Sequence, residues 1–204
     1  MQIKTMIIFV LVTIGMLLGV GGLLWQFSAS AAKPIQDIAG TSHHVLGNGS
    51  VTLVEFSDFQ CPACSAVEAP LQQILAKYSG KVQFVYRFFP LTTIHKNAQI
   101  SAQAAEAAGL QGKFWELHTI LFTKQSEWEK VADPRDLFVT YIKDLGLDEK
   151  QFLADIDSQT VVDAIAADVS AANRYNLDGT PTFFVNGVKI DFAQIDSKLA
   201  ALTK

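Results

Sequence analysis

Clusters of apolar positions in the middle of the chain predict a strand, a helix and a second strand. Residues 51–56 form a short apolar run rich in β-branched side chains, which is typical of a strand. Residues 62–78 repeat apolar side chains at helical spacing, and residues 82–89 form a second apolar run. A helix joins the two strands, so we expect them to be parallel, with a right-handed crossover.

Residues 96–177 carry one helical pattern after another, and strands return only beyond them. The apolar runs 182–185 and 188–190 are separated by Asn186-Gly187, a pair typical of a type I′ hairpin turn. A last apolar stripe predicts a C-terminal helix. The order predicts an α/β fold in which a βαβ unit, a helical insertion over about 96–177 and a ββα unit follow one another.

The N-terminal region has the pattern of a membrane segment. Residues 6–25 form a run of 20 residues without a charge, and such a helix spans roughly 30 Å, the thickness of a bilayer core. Lys4 precedes the run and Lys33 is the next cation, which favours a cytoplasmic N-terminus and export of the rest. A cleaved signal peptide is the alternative, because Ala29-Ser30-Ala31 fits a cleavage site. The run exceeds the usual apolar core of a signal peptide, about 7–15 residues, so we favour the anchor.

These patterns predict three parts. Residues 1–32 form a signal-anchor with a transmembrane helix over about 6–25, residues 33–50 form a linker, and residues 51–204 form the folded domain. We therefore predict a cell-membrane protein with one span and an extracytoplasmic domain. If the signal is cleaved, the protein would instead be secreted or periplasmic. We expect a monomer.

Composition narrows the function classes. Half of the 204 residues are apolar and the net charge is −4; without a basic block, such a chain is a poor binder of nucleic acid. Two cysteines exclude a disulfide scaffold and a four-cysteine zinc site.

The two cysteines carry the candidate chemistry. Cys61 and Cys64 form a C-x-x-C motif at a predicted strand-to-helix junction, where free N–H groups and the helix dipole favour a thiolate at Cys61. Cys64 lies one turn later on the same face, and Pro62 suits the first helical position. The alternatives are a stapling disulfide, two buried free thiols, or a metal site. We predict no metal site, because zinc needs further ligands.

Three segments carry a family resemblance. They are Val-Glu-Phe-Ser-Asp-Phe-Gln-Cys-Pro-Ala-Cys at 54–64, Gly-Thr-Pro-Thr-Phe-Phe-Val-Asn-Gly at 179–187, and Gln-Gly-Lys-Phe-Trp-Glu at 111–116. Together they resemble the DsbA-like thiol–disulfide oxidoreductases of the thioredoxin superfamily over about residues 45–202. The resemblance implies a thioredoxin-like fold with a helical insertion, and a redox-active Cys61–Cys64 disulfide in place of any other cofactor.

The resemblance also implies roles for individual residues. Cys61 would be the exposed nucleophile and Cys64 the buried resolving thiol. Pro181 would be a cis-proline facing the disulfide, and Thr180 would offer backbone groups to an extended substrate. Glu55 would be a buried acid that accepts the proton of Cys64; an ordinary solvent-facing strand residue is the alternative.

Five further residues surround the motif. We predict substrate contacts for Pro62 and for Phe59, which would rim a groove unless it is an aromatic at the edge of the core. Asp58 is expected to cap its loop, His95 to be a solvated loop residue, and His118 to be a core histidine with its polar atoms satisfied.

The function expected from this resemblance is the introduction of disulfides into exported, reduced or unfolded proteins. A membrane quinone-linked thiol reoxidase would restore the disulfide. Family members that oxidise strongly commonly have Pro-His between the cysteines, whereas Ala63 stands here, so a disulfide reductase or isomerase on the same fold is the alternative. A membrane-tethered module that binds a metal or a protein is a further alternative.

Overall fold

A five-stranded sheet forms the centre of the molecule. The computed structural model describes residues 38–40 and 44–204, and its strands are β1 (Val45–Leu46), β2 (Val51–Ser57), β3 (Val82–Phe88), β4 (Thr182–Val185) and β5 (Val188–Ile190). Their spatial order is β1-β3-β2-β4-β5. β2 and β3 are parallel, and the other neighbouring pairs are antiparallel. This is the predicted thioredoxin-like arrangement.

Helices connect and cover the strands. They are α1 (Pro62–Lys77), α2 (Ala98–Leu110), α3 (Phe114–Thr123), α4 (Gln125–Trp128), α5 (Arg135–Asp144), α6 (Glu149–Asp155), α7 (Gln159–Arg174) and α8 (Ile195–Leu202). Helix α1 crosses from β2 to β3, and α2 to α7 form the predicted insertion between β3 and β4. Local chemistry sets several ends: Ser158 accepts a hydrogen bond from the Val161 N–H at the start of α7. Asn186 and Gly187 both have positive φ (46° and 82°), which confirms the type I′ turn.

The two faces of the sheet bury separate apolar clusters. Side chains alternate along a strand, so Leu53 and Glu55 point to one face and Val54 and Phe56 to the other. The first face, here termed the inner face, packs against α1 and the insertion. The second, the outer face, packs against the end of α7 and Ile38.

The folded domain begins earlier than predicted. Val45–Leu46 lies inside the predicted linker but pairs with β3 as strand β1, and the carbonyl of Ile38 accepts a hydrogen bond from Arg87 Nη1 at 2.9 Å. His44 between them is only 4% exposed. The linker prediction is therefore wrong for residues 44–46, because a two-residue strand is too short to show a pattern.

The membrane prediction falls on other residues. Within residues 38–40 and 44–204, every helix is too short or too polar to cross a bilayer. The predicted span at 6–25 lies outside the described residues.

Candidate active site

Cys61 and Cys64 lie where the chain leaves β2 and enters α1. Cys61 is the N-cap residue of α1, with extended backbone angles (φ −70°, ψ 122°), and Pro62 takes the first helical position. Proline fits there because the first N–H of a helix has no intrahelical partner. Both cysteines are free thiols, and Pro62 and Ala63 between them are exposed. The prediction of an exposed Cys61 is wrong: the residue is only 6% exposed, because the inner-face cluster and the Thr180 carbonyl enclose it.

The sulfur of Cys61 is held as a stabilised thiolate. Hydrogen bonding from the Cys64 thiol is the largest cause, and Thr180 and the backbone N–H groups of Ala63 and Cys64 add to it against the cost of burial. Together they lower the pKa of Cys61 from 9.0 to about 5. Cys61 is therefore a thiolate at neutral pH, the form that attacks and leaves in disulfide exchange.

The loop that contains Thr180 and Pro181, before β4, contacts this sulfur. The Thr180–Pro181 peptide bond is cis, as the resemblance implies. In the thiol form, Cys61 Sγ donates to the carbonyl of Thr180 at 3.4 Å. Both residues of this loop are partly exposed, and a cavity of about 330 Å³ lies beside them, lined also by Gly179 and Phe192. The loop that contacts the sulfur is therefore open to solvent along this cavity.

Cys64 is the protected partner. Its side chain is 1% exposed, and burial, the largest cause, raises the pKa of its thiol well above the ordinary value, with Cys61 and Glu55 adding to the rise. The two sulfurs therefore differ in proton affinity: Cys61 gives up its proton readily and Cys64 retains it.

Glu55 is buried on the inner face in the middle of β2. It is 1% exposed, which confirms the predicted burial. Burial is the main cause that raises the pKa of Glu55 from 4.5 to about 8, with Glu68 and Cys61 adding to the rise and Ser57 opposing it. Carboxylate oxygen Oε2 has no hydrogen-bond partner among the described residues.

A second buried pair extends deeper into the inner face. Glu68, one turn after Cys64 on α1, is 6% exposed, and burial raises its pKa. Its Oε1 lies 3.6 Å from Nδ1 of His118, whose pKa falls to about 3 because of burial and the nearby His44. Neither ring nitrogen of His118 has a hydrogen-bond partner in the described part of the chain. The core position of His118 is confirmed, but the expected satisfaction of its nitrogens is wrong.

The loop before Cys61 is tied down by Asp58. Its Oδ1 accepts from the Gln60 N–H at 2.8 Å, and its Oδ2 accepts from the Leu91 N–H at 3.0 Å and contacts His95 Nδ1 at 2.7 Å. The loop-capping prediction for Asp58 is confirmed. The prediction of a solvated His95 is wrong, because its side chain is only 16% exposed and pairs with this carboxylate.

Phe59 is a core residue. It is 1% exposed, and its ring contacts the rings of Tyr86, Phe88, His118 and Phe122 at centroid distances of 4.9–6.4 Å. The predicted substrate contact is therefore wrong, because aromatic packing with the insertion encloses the side chain. Pro62 and Thr180 remain reachable from solvent.

Three amide side chains that the sequence analysis did not single out hold the same loop. Gln60, Asn97 and Gln125 link the loop to the helical insertion. Their partners are backbone groups more than 30 residues away, so no local pattern indicates them. Within residues 38–40 and 44–204, no group of three or more His, Cys, Asp or Glu side chains could hold a metal ion.

Three solved structures share this architecture. A thioredoxin-like oxidoreductase from Silicibacter pomeroyi is 26% identical, with a TM-score of 0.68 over 83% of this chain and 98% of that one. BdbD from Bacillus subtilis is 24% identical, with a TM-score of 0.70 over 84% and 96%. The thiol–disulfide exchange protein α-DsbA2 from Wolbachia pipientis is 20% identical, with a TM-score of 0.69 over 82% and 90%.

Curated relatives include longer proteins. The chain is 42% identical over 146 residues to Na⁺/H⁺ antiporter NhaA 3 of Salinispora tropica, covering 71% of this chain and 22% of that protein. It is 37% identical over 161 residues to Na⁺/H⁺ antiporter NhaA 1 of Mycolicibacterium gilvum, covering 76% and 25%. The chain thus spans about a quarter of these relatives.

A thioredoxin family model matches residues 40–204, which include the C-x-x-C motif, the cis-proline loop and the whole insertion. The chain therefore belongs to the thioredoxin superfamily, with the fold of its DsbA-like thiol–disulfide oxidoreductases.

Proposed function

We propose that this protein is an extracytoplasmic dithiol oxidase that introduces disulfides into exported proteins. The observation that carries the proposal is the contrast between its two sulfurs. Cys61 has a pKa of about 5, whereas burial raises that of Cys64. A stabilised thiolate favours the reduced form, so the Cys61–Cys64 disulfide is a good oxidant.

The reaction proceeds in two exchanges. A substrate thiolate attacks Sγ of Cys61 in the disulfide; the Cys61–Cys64 bond breaks, and Cys64 leaves and takes up a proton. A second substrate thiolate then attacks the substrate sulfur of the mixed disulfide, and Cys61 leaves as a thiolate. The substrate dithiol is oxidised to a disulfide and the enzyme disulfide is reduced to a dithiol.

Glu55 is suited to handle the proton of Cys64. With a pKa of about 8 it is mostly protonated at neutral pH, so it can donate to the leaving Cys64 thiolate, whose proton affinity is higher. When the disulfide is restored, the same carboxylate accepts the proton as Cys64 attacks. Restoration needs an external oxidant, for which we propose a membrane quinone-linked thiol reoxidase.

The cis-proline loop would bind the substrate. Pro181 has no N–H, and the Thr180 carbonyl is directed at Cys61 Sγ, so an extended substrate that pairs with Thr180 would bring its cysteine to Cys61. Pro62, directly after Cys61, is exposed and available for a substrate contact.

The extracytoplasmic location rests on two supports. The apolar run at 6–25 predicts an exported domain. The curated relatives carry the matching region within proteins named as Na⁺/H⁺ antiporters, which favours work at a membrane. Fusion of a reporter enzyme that is active only outside the cytoplasm to residue 204 tests this; an inactive reporter on a stable fusion contradicts export.

Oxidation of a reduced dithiol peptide by the purified disulfide form tests the activity. We expect one peptide disulfide for each enzyme disulfide, and none with Cys61→Ser. The reduced Cys64→Ser variant, given the oxidised peptide, should form a mixed disulfide at Cys61: the Cys61 thiolate attacks the peptide disulfide, one peptide sulfur leaves as a thiolate, and no second enzyme thiol is present to release the adduct. Failure of the wild-type disulfide to oxidise the peptide would refute the proposal.

A disulfide reductase or isomerase is the second candidate, and Ala63 is the observation that favours it. The exposed Ala63 side chain can neither donate a hydrogen bond nor place a charge beside the thiolate. A reduction potential of about −270 mV would support this candidate, whereas one of about −120 mV supports the oxidase.

A further inference from the structure

We propose that Gln125, in the helical insertion, is a positioning residue that holds the backbone of Cys61 so that helix N–H groups are directed at its sulfur. The inference rests on the proposed thiol–disulfide exchange at Cys61. It assigns part of the reactivity of this cysteine to a side chain 64 residues away along the chain.

Gln125 reaches the active-site loop through one amide nitrogen. Its Nε2 donates to the carbonyl of Phe59 at 2.8 Å and to the carbonyl of Cys61 at 3.1 Å. The Gln125 side chain comes from the first position of α4 and is 9% exposed. Each of its two amide hydrogens thus has one buried carbonyl acceptor, and the carbonyls flank Gln60.

Gln60 makes the reciprocal connection. Its Nε2 donates to the carbonyl of Glu129 at 2.7 Å, and its Oε1 accepts from the Asn97 N–H at 2.6 Å. Asn97 in turn donates to the carbonyls of Trp128 and Val131 at 3.1 and 2.9 Å. The loop and the insertion therefore hold each other by side chain to backbone bonds in both directions, which fixes the loop relative to α4.

The orientation of the Cys61 carbonyl is coupled to the orientation of the backbone N–H groups at the start of α1. That carbonyl also accepts the Ser65 N–H at 3.1 Å, the first hydrogen bond of α1. The torsion ψ of Cys61 sets both the direction of this carbonyl and the orientation of the peptide that follows. If the Gln125 bond is lost, ψ can relax, and the N–H groups of Ala63 and Cys64 that stabilise the thiolate lose their alignment with the sulfur.

The test is the pH profile of alkylation of Cys61 in the reduced full-length protein. Gln125→Leu keeps the volume of the side chain and removes both donors. We expect it to raise the pKa of Cys61 by about one unit, the scale of one neutral hydrogen bond. The alkylation rate should then fall about fivefold at pH 5, where half the wild-type sulfur is thiolate, and stay unchanged at pH 8. Gln125→Glu, which loses the donors on ionisation, should shift the midpoint in the same direction.

Gln111→Leu is the matched control. Gln111 is also an insertion glutamine with two backbone bonds, donating to the carbonyl of Asp148 at 3.2 Å and accepting from its N–H at 2.9 Å. This variant should keep the wild-type midpoint. A folded Gln125→Leu with an unshifted midpoint, or an equal shift in Gln111→Leu, would overturn the inference. Alkylation does not require peptide oxidation, so failure of the oxidase proposal would be seen separately, in the wild-type peptide assay.

Discussion

Two sets of buried ionisable side chains, one on each face of the sheet, differ in how far their polar atoms are satisfied. On the outer face, Arg87 Nε donates to Asp168 Oδ1 at 2.7 Å, and the Phe88 N–H donates to Oδ2 of the same carboxylate at 2.9 Å. On the inner face, Glu55 Oε2 and both ring nitrogens of His118 have no hydrogen-bond partner among the described residues. Both sets of groups are almost completely buried.

This difference distinguishes buried groups that stabilise the fold from buried groups that can take part in proton transfer. A buried ion pair with satisfied hydrogen bonds holds the fold, and here Arg87 and the Phe88 N–H oppose the rise that burial causes in the pKa of Asp168. A buried acid that lacks full partners has a displaced pKa and is ready to give or take a proton. Glu55, a group of the second kind, lies on the inner face next to the cysteines. Satisfied pairs occur on both sides of the sheet: Arg87–Asp168 on the outer face, and His44–Glu106 against the inner-face residues Phe88 and Phe114.

The largest expected effect tests the inner face through pH. Glu55 has a folded pKa of about 8 against an ordinary 4.5, so its contribution to stability is present at low pH and is lost as pH rises through 8. Glu55→Gln removes this loss. The free energy of unfolding of the variant relative to wild type should rise by up to about 5 kcal/mol between pH 4 and pH 9. Urea unfolding of the reduced proteins at both pH values measures it, and a constant difference would contradict it.

The next effect tests the outer face. Asp168→Ala leaves the Arg87 guanidinium buried without its carboxylate, and breaking a buried pair in this way costs about 3–5 kcal/mol. Urea denaturation at pH 7 measures the loss, and the alkylation midpoint of Cys61 should not move. A loss below about 1 kcal/mol or a shifted midpoint would show that the two faces are not distinct in this way.

Replacement of two histidines, one with unsatisfied and one with satisfied nitrogens, should change the stability in opposite directions. His118→Leu replaces a buried ring with unpartnered nitrogens and should stabilise the protein by about 1 kcal/mol, the scale of an unsatisfied polar group. His95→Leu removes a bonded partner of the buried Asp58 and should destabilise it by about 1–2 kcal/mol. Thermal or urea unfolding at pH 7 compares them. A change of the same sign in both would refute the distinction.

The smallest expected effect is the pH dependence of the reduction potential. Reduction takes up one proton when Cys61 stays a thiolate and Cys64 is a thiol, so between pH 6 and pH 7 the potential should fall by about 30 mV per pH unit. Below the Cys61 pKa of about 5, two protons are taken up and the slope should double to about 59 mV. Equilibration with glutathione buffers measures this. A single slope of about 59 mV per pH unit from pH 4 to pH 7 would show that Cys61 has an ordinary pKa.

The sequence supports the fold and the motif well, because both have local signals. The apolar runs predict β2 to β5 closely, and the C-x-x-C and Gly-Thr-Pro segments identify the two loops that meet at Cys61. Burial of Glu55 follows from its apolar neighbours in β2.

What the sequence could not provide depends on contacts between distant segments. From their places in the sequence, Phe59 is expected to line a groove and His95 to lie in a solvated loop. Only the packing of the folded domain shows that both side chains are enclosed. The Gln125 amide donates a hydrogen bond to the Cys61 carbonyl, 64 residues earlier in the chain. No sequence motif or spacing indicates this contact. The two-residue β1 is recognisable only by its pairing with β3.

The segment before β2 determines where a truncated fragment of this protein can begin and still fold. A fragment that starts at residue 51 would lose β1 and the Ile38 carbonyl that accepts from Arg87, exposing the edge of β3 to other strands. Such a fragment should aggregate, whereas one that starts at Lys33 keeps these contacts and is the better choice for crystallisation and NMR.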